Sequence, residues 1–157
     1  MAKSAHEIQK DRIREIEEKA DRLLEKCDVV SLASVNEHGY PRICTVSKLK
    51  ANGFREIYFQ TSKRSAIQGK AIHFARNPKA SVCYRLDGDS VTLVGEVEII
   101  QEMDIKKQFE ADCDQRFFKN GIADPRHLLL RFLVKEATFW IEGKFRTCKY
   151  GAFSPQE

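Results

Sequence analysis

The chain has no cysteines arranged for metal binding or for a disulfide framework. Its five cysteines stand singly, without a C-x-x-C pair or a histidine at ligand spacing: Cys27, Cys44, Cys83, Cys113 and Cys148. Neither a zinc site nor a disulfide scaffold is therefore indicated. An odd number of thiols without a signal peptide predicts a reducing cytoplasm. No apolar run approaches the roughly 20 residues of a membrane helix, so we expect a soluble protein without a membrane partner.

The sequence also lacks the common catalytic motifs. It contains no Ser-His-Asp set at readable spacing, no G-x-G-x-x-G and no recognisable pair of catalytic carboxylates. No residue can be assigned as catalytic from these patterns. Chemistry would therefore depend on a bound cofactor, and no metal is predicted.

Strong charge of one sign is absent as well. Lysine and arginine number 27 against 23 acidic residues, a formal net charge of +4, and the two signs are interleaved. This pattern favours a solvated surface with a local anion site over a nucleic-acid groove. A length of 157 residues and a hydrophobic fraction of 42% predict one globular domain, residues 1–157.

The N-terminal segment, residues 1–27, has the pattern of an amphipathic helix. Ser4 and Glu7 fit a capping box, and apolar residues recur at spacings of three and four on one stripe, namely Ile13, Ile16, Ala20, Leu23 and Cys27. We expect this helix to pack on the rest of the domain.

The remaining chain is mainly β. Alternation and turn residues predict six antiparallel strands: Val29–Val35, Tyr40–Leu49, Glu56–Thr61, Ala80–Leu86, Ser90–Ile100 with a bulge or bend at Gly95, and Leu128–Ile141. A helix after the third strand should stop before Asn77-Pro78, and 103–120 should be a mostly helical insert. Six strands with helices at their edges predict a small closed barrel.

The segment FQTSKRSAIQGKAIHFARNP, residues 59–78, joins the third strand to its helix through hydroxyls and cations. The hydroxyls belong to Thr61, Ser62 and Ser65, and the cations to Lys63, Arg64 and Lys70. Such a junction can bind a phosphate. A solvated helix cap remains the alternative.

Four segments follow one another in a recognisable order: VVSLASVNEHGYPRICTVSKL, EIYFQT, GKAIHFARNPKASVCY and VTLVGEVEII. Together they resemble the FMN-binding split β-barrel superfamily of pyridoxamine 5′-phosphate oxidase, and most closely its short stress-protein-like branch. Lys70 lies eight residues before Pro78, which matches the branch's S-R-K…N-P segment. The stretch LLLRFLVKEATFWIEG is similar to the branch's last strand.

This resemblance implies a homodimer with two FMN molecules at the subunit interface, acting as an oxidoreductase on a small molecule. It assigns the flavin phosphate to Lys70, with Gly69 in place of the family's neighbouring arginine. It also implies cofactor contacts from residues on several strands: Cys44, Thr45, Val46, Lys48, Gln60, Thr61 and Ser90. Trp140 would either stack near the partner's flavin or fill the core.

The chain departs from the family in two places near the phosphate. Cys44 stands where an arginine is common, and Arg42, two positions earlier, lies on the same strand face and could substitute. Three extra residues separate Thr61 from Lys70, so Ser62, Lys63, Arg64 or Ser65 could replace the missing arginine. A deazaflavin or haem is then an alternative cofactor.

The resemblance leaves a second function open, a protein that stores or senses flavin or haem without turnover. A true pyridoxamine 5′-phosphate oxidase is disfavoured, because the C-terminal GKFRTCKYGAFSPQE lacks that enzyme's R-L-x-P-type segment. Neither the substrate nor the electron donor can be read from the residues.

Three histidines and one thiol need separate interpretation. We expect His38 in its turn and His73 on its helix to face solvent, whereas His127 at a strand start could ligate haem. Cys44 is interpreted as a small buried hydrophobe, with a reactive thiolate near the flavin as the alternative.

Overall fold

A computed structural model describes residues 1–63 and 69–153 of the chain. Seven strands are present: β1 (Val29–Val35), β2 (Pro41–Asn52), β3 (Glu56–Ser62), β4 (Lys79–Leu86), β5 (Asp89–Ile100), β6 (His127–Ile141) and β7 (Lys144–Lys149). Three α-helices accompany them: α1 (Ala5–Glu25), α2 (Lys70–Arg76) and α3 (Met103–Lys106). Short 3-10 turns cover Gly53–Arg55, Lys107–Asp112 and Gly121–Ala123.

The strands form one antiparallel sheet in the order β3-β2-β1-β4-β5-β6-β7. An additional pairing of β3 with β6 closes the first six strands into the predicted barrel. The predicted fold class, a six-stranded antiparallel split barrel with peripheral helices, is therefore confirmed. Closure pairs both edges of the six-stranded sheet, which would otherwise expose unpaired backbone groups.

Strand β6 belongs to both parts of the sheet. One of its edges pairs with β5 over most of its length, and the other is divided between β3 and β7. The division falls near Val134, opposite the register shift at Val94 and Gly95 in β5. An irregularity is present opposite Gly95 as predicted, but the extra residue, Lys135, belongs to β6 and not to β5. It lies where the barrel ends and the extension to β7 begins.

The core fills the barrel and continues under α1. Alternate residues of each strand point inward, and four phenylalanines are almost completely buried, namely Phe54, Phe59, Phe132 and Phe139. Helix α1 begins at the predicted capping box of Ser4 and Glu7. It covers one side of the barrel with Ala20, Leu23 and Leu24, and the Tyr84 hydroxyl donates to the Ala20 carbonyl at 2.9 Å.

Three details differ from the sequence-based prediction. The seventh strand, β7, was missed, because its turn is Glu142-Gly143, which carries no strong hairpin signal although both residues have positive φ. The second strand continues past its predicted end at Leu49 to Asn52, and a 3-10 turn begins at Gly53. The insert after β5 is only partly helical: α3 and one 3-10 turn occupy its first half.

Within the described ranges, 1–63 and 69–153, no helix combines the length and apolar character needed to cross a membrane.

Gly95 is the glycine whose replacement we expect to destabilise the fold most. A Cβ atom there would lie 2.1 Å from the Leu133 carbonyl oxygen and 2.9 Å from the Phe132 ring. We expect Gly95→Ala to lower the free energy of unfolding by about 1–3 kcal/mol, as overpacking does in other cores. Chemical denaturation measures the change.

Gly88→Ala is the matched control, because nothing lies within 4 Å of a Cβ at that position. Its free energy of unfolding should stay within about 0.5 kcal/mol of the parent, as for most surface substitutions. Equal stability of the two variants would contradict the close approach at Gly95.

Candidate functional site

Lys70 lies at the start of α2 with its ammonium group against the wall of the barrel. Gly69 is the N-cap residue and contributes no side-chain contact. The Lys70 Nζ donates to Ser34 Oγ at 2.8 Å and to the Arg42 carbonyl oxygen at 2.5 Å, and it lies beside the Cys44 thiol. Burial lowers the pKa of Lys70, with Arg42 adding to the effect and Cys44 opposing it. The site therefore holds a partly desolvated cation.

Ser34 links Lys70 to a buried histidine. Ser34 Oγ lies 2.7 Å from His73 Nδ1, and both residues are buried. Because Ser34 Oγ accepts a hydrogen bond from the ammonium, its own hydroxyl can donate to the ring nitrogen of a neutral His73. Burial and the Lys70 charge lower the pKa of His73, which favours that neutral ring.

The prediction that His73 faces solvent is thus wrong. His73 occupies the face of α2 that packs on β1, since Lys70 and His73 are three residues apart and lie on the same side of a helix. The prediction for His38 is confirmed: it lies exposed in the turn between β1 and β2.

Strand β2 presents its candidate residues on two opposite faces. Arg42, Cys44 and Val46 pair with Ser34, Leu32 and Val30, whose side chains point inward. Arg42 and Cys44 therefore share a face, as the sequence predicts. Cys44 is half-buried against the core, and all five cysteines are free thiols.

Thr45 and Lys48 differ in what they contact. Thr45 is exposed on the outer face of the sheet, opposite Ser31 of β1. Lys48 Nζ donates to the Leu24 carbonyl at 2.6 Å, which is near the C-terminal end of α1. A cation at that end interacts favourably with the helix dipole, so Lys48 has a structural contact here.

Gln60 and Thr61 lie near the end of β3, opposite Leu129 and Leu128 of β6. The Gln60 Oε1 atom is buried and has no hydrogen-bond partner among the described residues. A buried acceptor without a donor is costly, by about 1–3 kcal/mol. This atom is therefore suited to receive an N–H group from a ligand.

Ser90 and Trp140 are neighbours on β5 and β6, opposite each other in register. Trp140 is 46% exposed and its ring lies 6.1 Å from that of Phe145. Trp140 therefore does not fill the core, and its stacking near a partner's flavin stays a prediction. The pair lies on the outer side of the sheet, away from Lys70 and Ser34.

The structure thus brings together Lys70, Arg42 and Cys44, and it separates them from Ser90 and Trp140 within one subunit. Ser65, also a candidate, lies outside the described residues. Two residues of the Lys70 cluster were missed from the sequence, Ser34 and His73. A signal for Ser34 exists: it follows Val30 and Leu32 at inward positions of a strand, where a polar side chain is unusual.

The comparisons with known proteins agree with this fold. The family model described as pyridoxamine 5′-phosphate oxidase matches residues 16–141. A comparison with curated proteins finds no match.

Several solved structures are similar. A Clostridium acetobutylicum protein related to general stress protein 26 superposes with a TM-score of 0.75 at 22% identity, covering 86% of this chain and 94% of that one. General stress protein 26 of Bacillus anthracis gives a TM-score of 0.66 at 18% identity, with 85% and 98% covered. A haem-binding protein of Mycobacterium smegmatis gives 0.66 at 16% identity, with 85% and 57% covered.

Proposed function

Because this chain belongs to the pyridoxamine 5′-phosphate oxidase family, we propose that it binds FMN and serves as an oxidoreductase for a small molecule. The flavin would supply the electron or hydride transfer. The protein would supply binding, orientation and a dry environment.

The observation that carries this proposal is the Lys70 ammonium, held at the start of α2 by Ser34 and Arg42. A phosphate dianion needs a cation that is partly shielded from water, and a charge-assisted contact is stronger there. The Lys70 donors are shared among Ser34, Arg42 and the neighbouring Cys44 thiol. Phosphate binding would therefore replace one of these contacts, with the exposed Arg42 side chain available as a second cation.

Gln60 supports the same proposal independently. Its buried Oε1 atom, which no described residue pairs with, is an acceptor at the end of β3, and an isoalloxazine ring offers an N–H donor on its pyrimidine edge. Gln60 therefore offers an acceptor suited to the ring of FMN, in addition to the cation that Lys70 offers to its phosphate.

The second candidate is a protein that binds flavin or haem without turnover. The similarity to the structure of a haem-binding protein favours this candidate. In this chain, however, His127 is 1% exposed and both of its ring nitrogens are buried. An iron centre could reach them only after the surrounding side chains moved, so FMN is the better-supported cofactor.

We also propose that the protein is a homodimer that pairs through the outer face of its sheet. That face carries a register-matched row of small side chains across six strands, namely Thr45, Ser31, Cys83, Thr92, Thr138 and Thr147. Large apolar side chains flank the row and are exposed in one subunit, including Val29, Ile43, Trp140 and Phe145. An extensive exposed apolar surface of this kind is typical of an interface.

Absorption spectroscopy and anaerobic stopped-flow mixing test the proposed function. We expect flavin bands in the purified protein and bleaching within seconds after mixing with NADH or NADPH, because an oxidoreductase must leave its flavin accessible to a donor. Ready reduction by dithionite, without reduction by either nucleotide, would favour the binding protein. A Soret band in place of flavin bands would reject FMN.

Lys70→Ala should weaken FMN binding by about ten- to a hundredfold, since a charge-assisted contact contributes roughly 1.5–3 kcal/mol. Fluorescence titration at fixed ionic strength measures the affinity. Riboflavin, which lacks the phosphate, should bind equally well to the variant and the parent. The exposed Lys50 provides the control variant Lys50→Ala, and an unchanged FMN affinity in Lys70→Ala would reject the assignment.

Ile43→Asp should shift the proposed dimer towards monomer, because it places a charge on an apolar surface that the second subunit would bury. Light scattering at micromolar concentration gives the mass. Ile8→Asp is the matched control, since Ile8 is also exposed but lies on α1. A monomeric parent protein with FMN fully bound would refute a site shared between subunits.

A further inference from the structure

A cavity of about 330 Å³ lies between the end of β3, the end of β5 and the insert that follows β5. Its polar wall is formed by Lys63, Lys106, His127 and Gln101, and its apolar wall includes Ile99 and Leu128. It contains none of the residues that hold the Lys70 ammonium. The volume is at the lower end of the range of ligand pockets, roughly 300–1,000 Å³, which suits a small ligand and excludes a large macrocycle.

His127 is the unusual residue in this wall. It is 1% exposed, the Phe118 ring packs edge-on against it at 4.9 Å, and neither ring nitrogen has a hydrogen-bond partner among the described residues. The great majority of buried polar side-chain atoms in proteins have a hydrogen-bond partner. A neutral imidazole always carries one N–H donor, so this ring has an unused donor next to a cavity.

The charges around His127 indicate the kind of ligand. Burial, and then the charges of Lys106 and Lys63, lower the pKa of His127 while Asp124 opposes them, and the net pKa is about 4. Asp124 is already bound by Arg126, with 3.2 Å between Oδ2 and Nη2. Burial and the Lys63 charge also lower the pKa of Lys106. Two cations therefore repel each other at a cavity whose described lining contains no acidic side chain.

We propose that this cavity binds a small dianionic oxoanion of the phosphate or sulfate type, held between Lys63 and Lys106 and hydrogen-bonded by the His127 ring after a small movement of that side chain exposes its N–H group to the cavity. A dianion would remove the repulsion between the two ammonium groups and give the buried ring an acceptor. The site is separate from the proposed flavin site, and the inference stands whether or not FMN binds at Lys70.

Nuclear magnetic resonance of the His127 ring in the full-length protein tests the proposal, with sulfate as the probe because it stays a dianion over the accessible pH range. At pH 7 we expect a saturable shift of the ring resonances at millimolar sulfate, and no such shift with chloride at matched ionic strength. Sulfate should also raise the pKa of His127 by about one unit, the lower end of the effect of a nearby opposite charge.

Lys106→Met should abolish the saturable shift, and Lys107→Met should retain it, since Lys107 is the exposed neighbour outside the cavity. Both variants lose one positive charge. If the sulfate shift changes equally in the two variants, the effect is a general electrostatic one and the proposal is overturned. A His127 resonance that does not respond to sulfate overturns it as well.

The titration repeated with saturating FMN separates this site from the flavin's own phosphate. Retention of the sulfate response with FMN bound supports a distinct site. Loss of the response means that the cavity holds the flavin phosphate, and the proposal of a separate site is then rejected. The FMN affinity itself is measured independently by the Lys70→Ala comparison.

Discussion

The division of β6 between two partners is the constraint on which the rest of the structure depends. Residues 127–133 of this strand close the barrel against β3, and residues 136–141 leave the barrel to pair with β7. The change of partner is possible because Gly95 has no Cβ where β5 passes the Leu133 carbonyl. A bulge locally bends and twists a strand, so one long strand can serve both a closed barrel and a flatter extension.

Closure gives the barrel wall an inner and an outer side, and the candidate residues divide between them. The inner side at one end, covered by α2, carries the chain of contacts from Lys70 through Ser34 to His73. The outer side carries Thr45, Ser90 and Trp140. Residues on opposite sides of one wall cannot surround a single ligand within one subunit. A cofactor that contacts both sets therefore requires a second subunit, which is the physical reason for linking FMN binding with dimerisation in the proposal.

The two basic clusters differ in the groups that surround their ammonium groups. Lys70 is surrounded by neutral acceptors, a hydroxyl, a carbonyl and a thiol, so its charge is solvated by the protein. Lys63 and Lys106 line a cavity together with His127, and the described lining of that cavity contains no acidic side chain. The first arrangement is stable without a ligand and exchanges a contact when an anion binds. The second is incomplete without one, because neighbouring cations in a partly buried site destabilise each other.

The sequence by itself determined the order of the six barrel strands, the barrel and the family, because alternation, turn residues and the Lys70-to-Pro78 spacing are local features of the chain. It also placed Arg42 and Cys44 on one face, since strand periodicity is fixed by the backbone. Only the tertiary structure decided that His73 is buried, that Lys48 donates to a carbonyl at the end of α1, that β7 extends β6, and that His127 has no hydrogen-bond partner among residues 1–63 and 69–153. These outcomes depend on which surfaces meet across the barrel wall, and contacts between residues distant in the chain leave no periodic signal in the sequence.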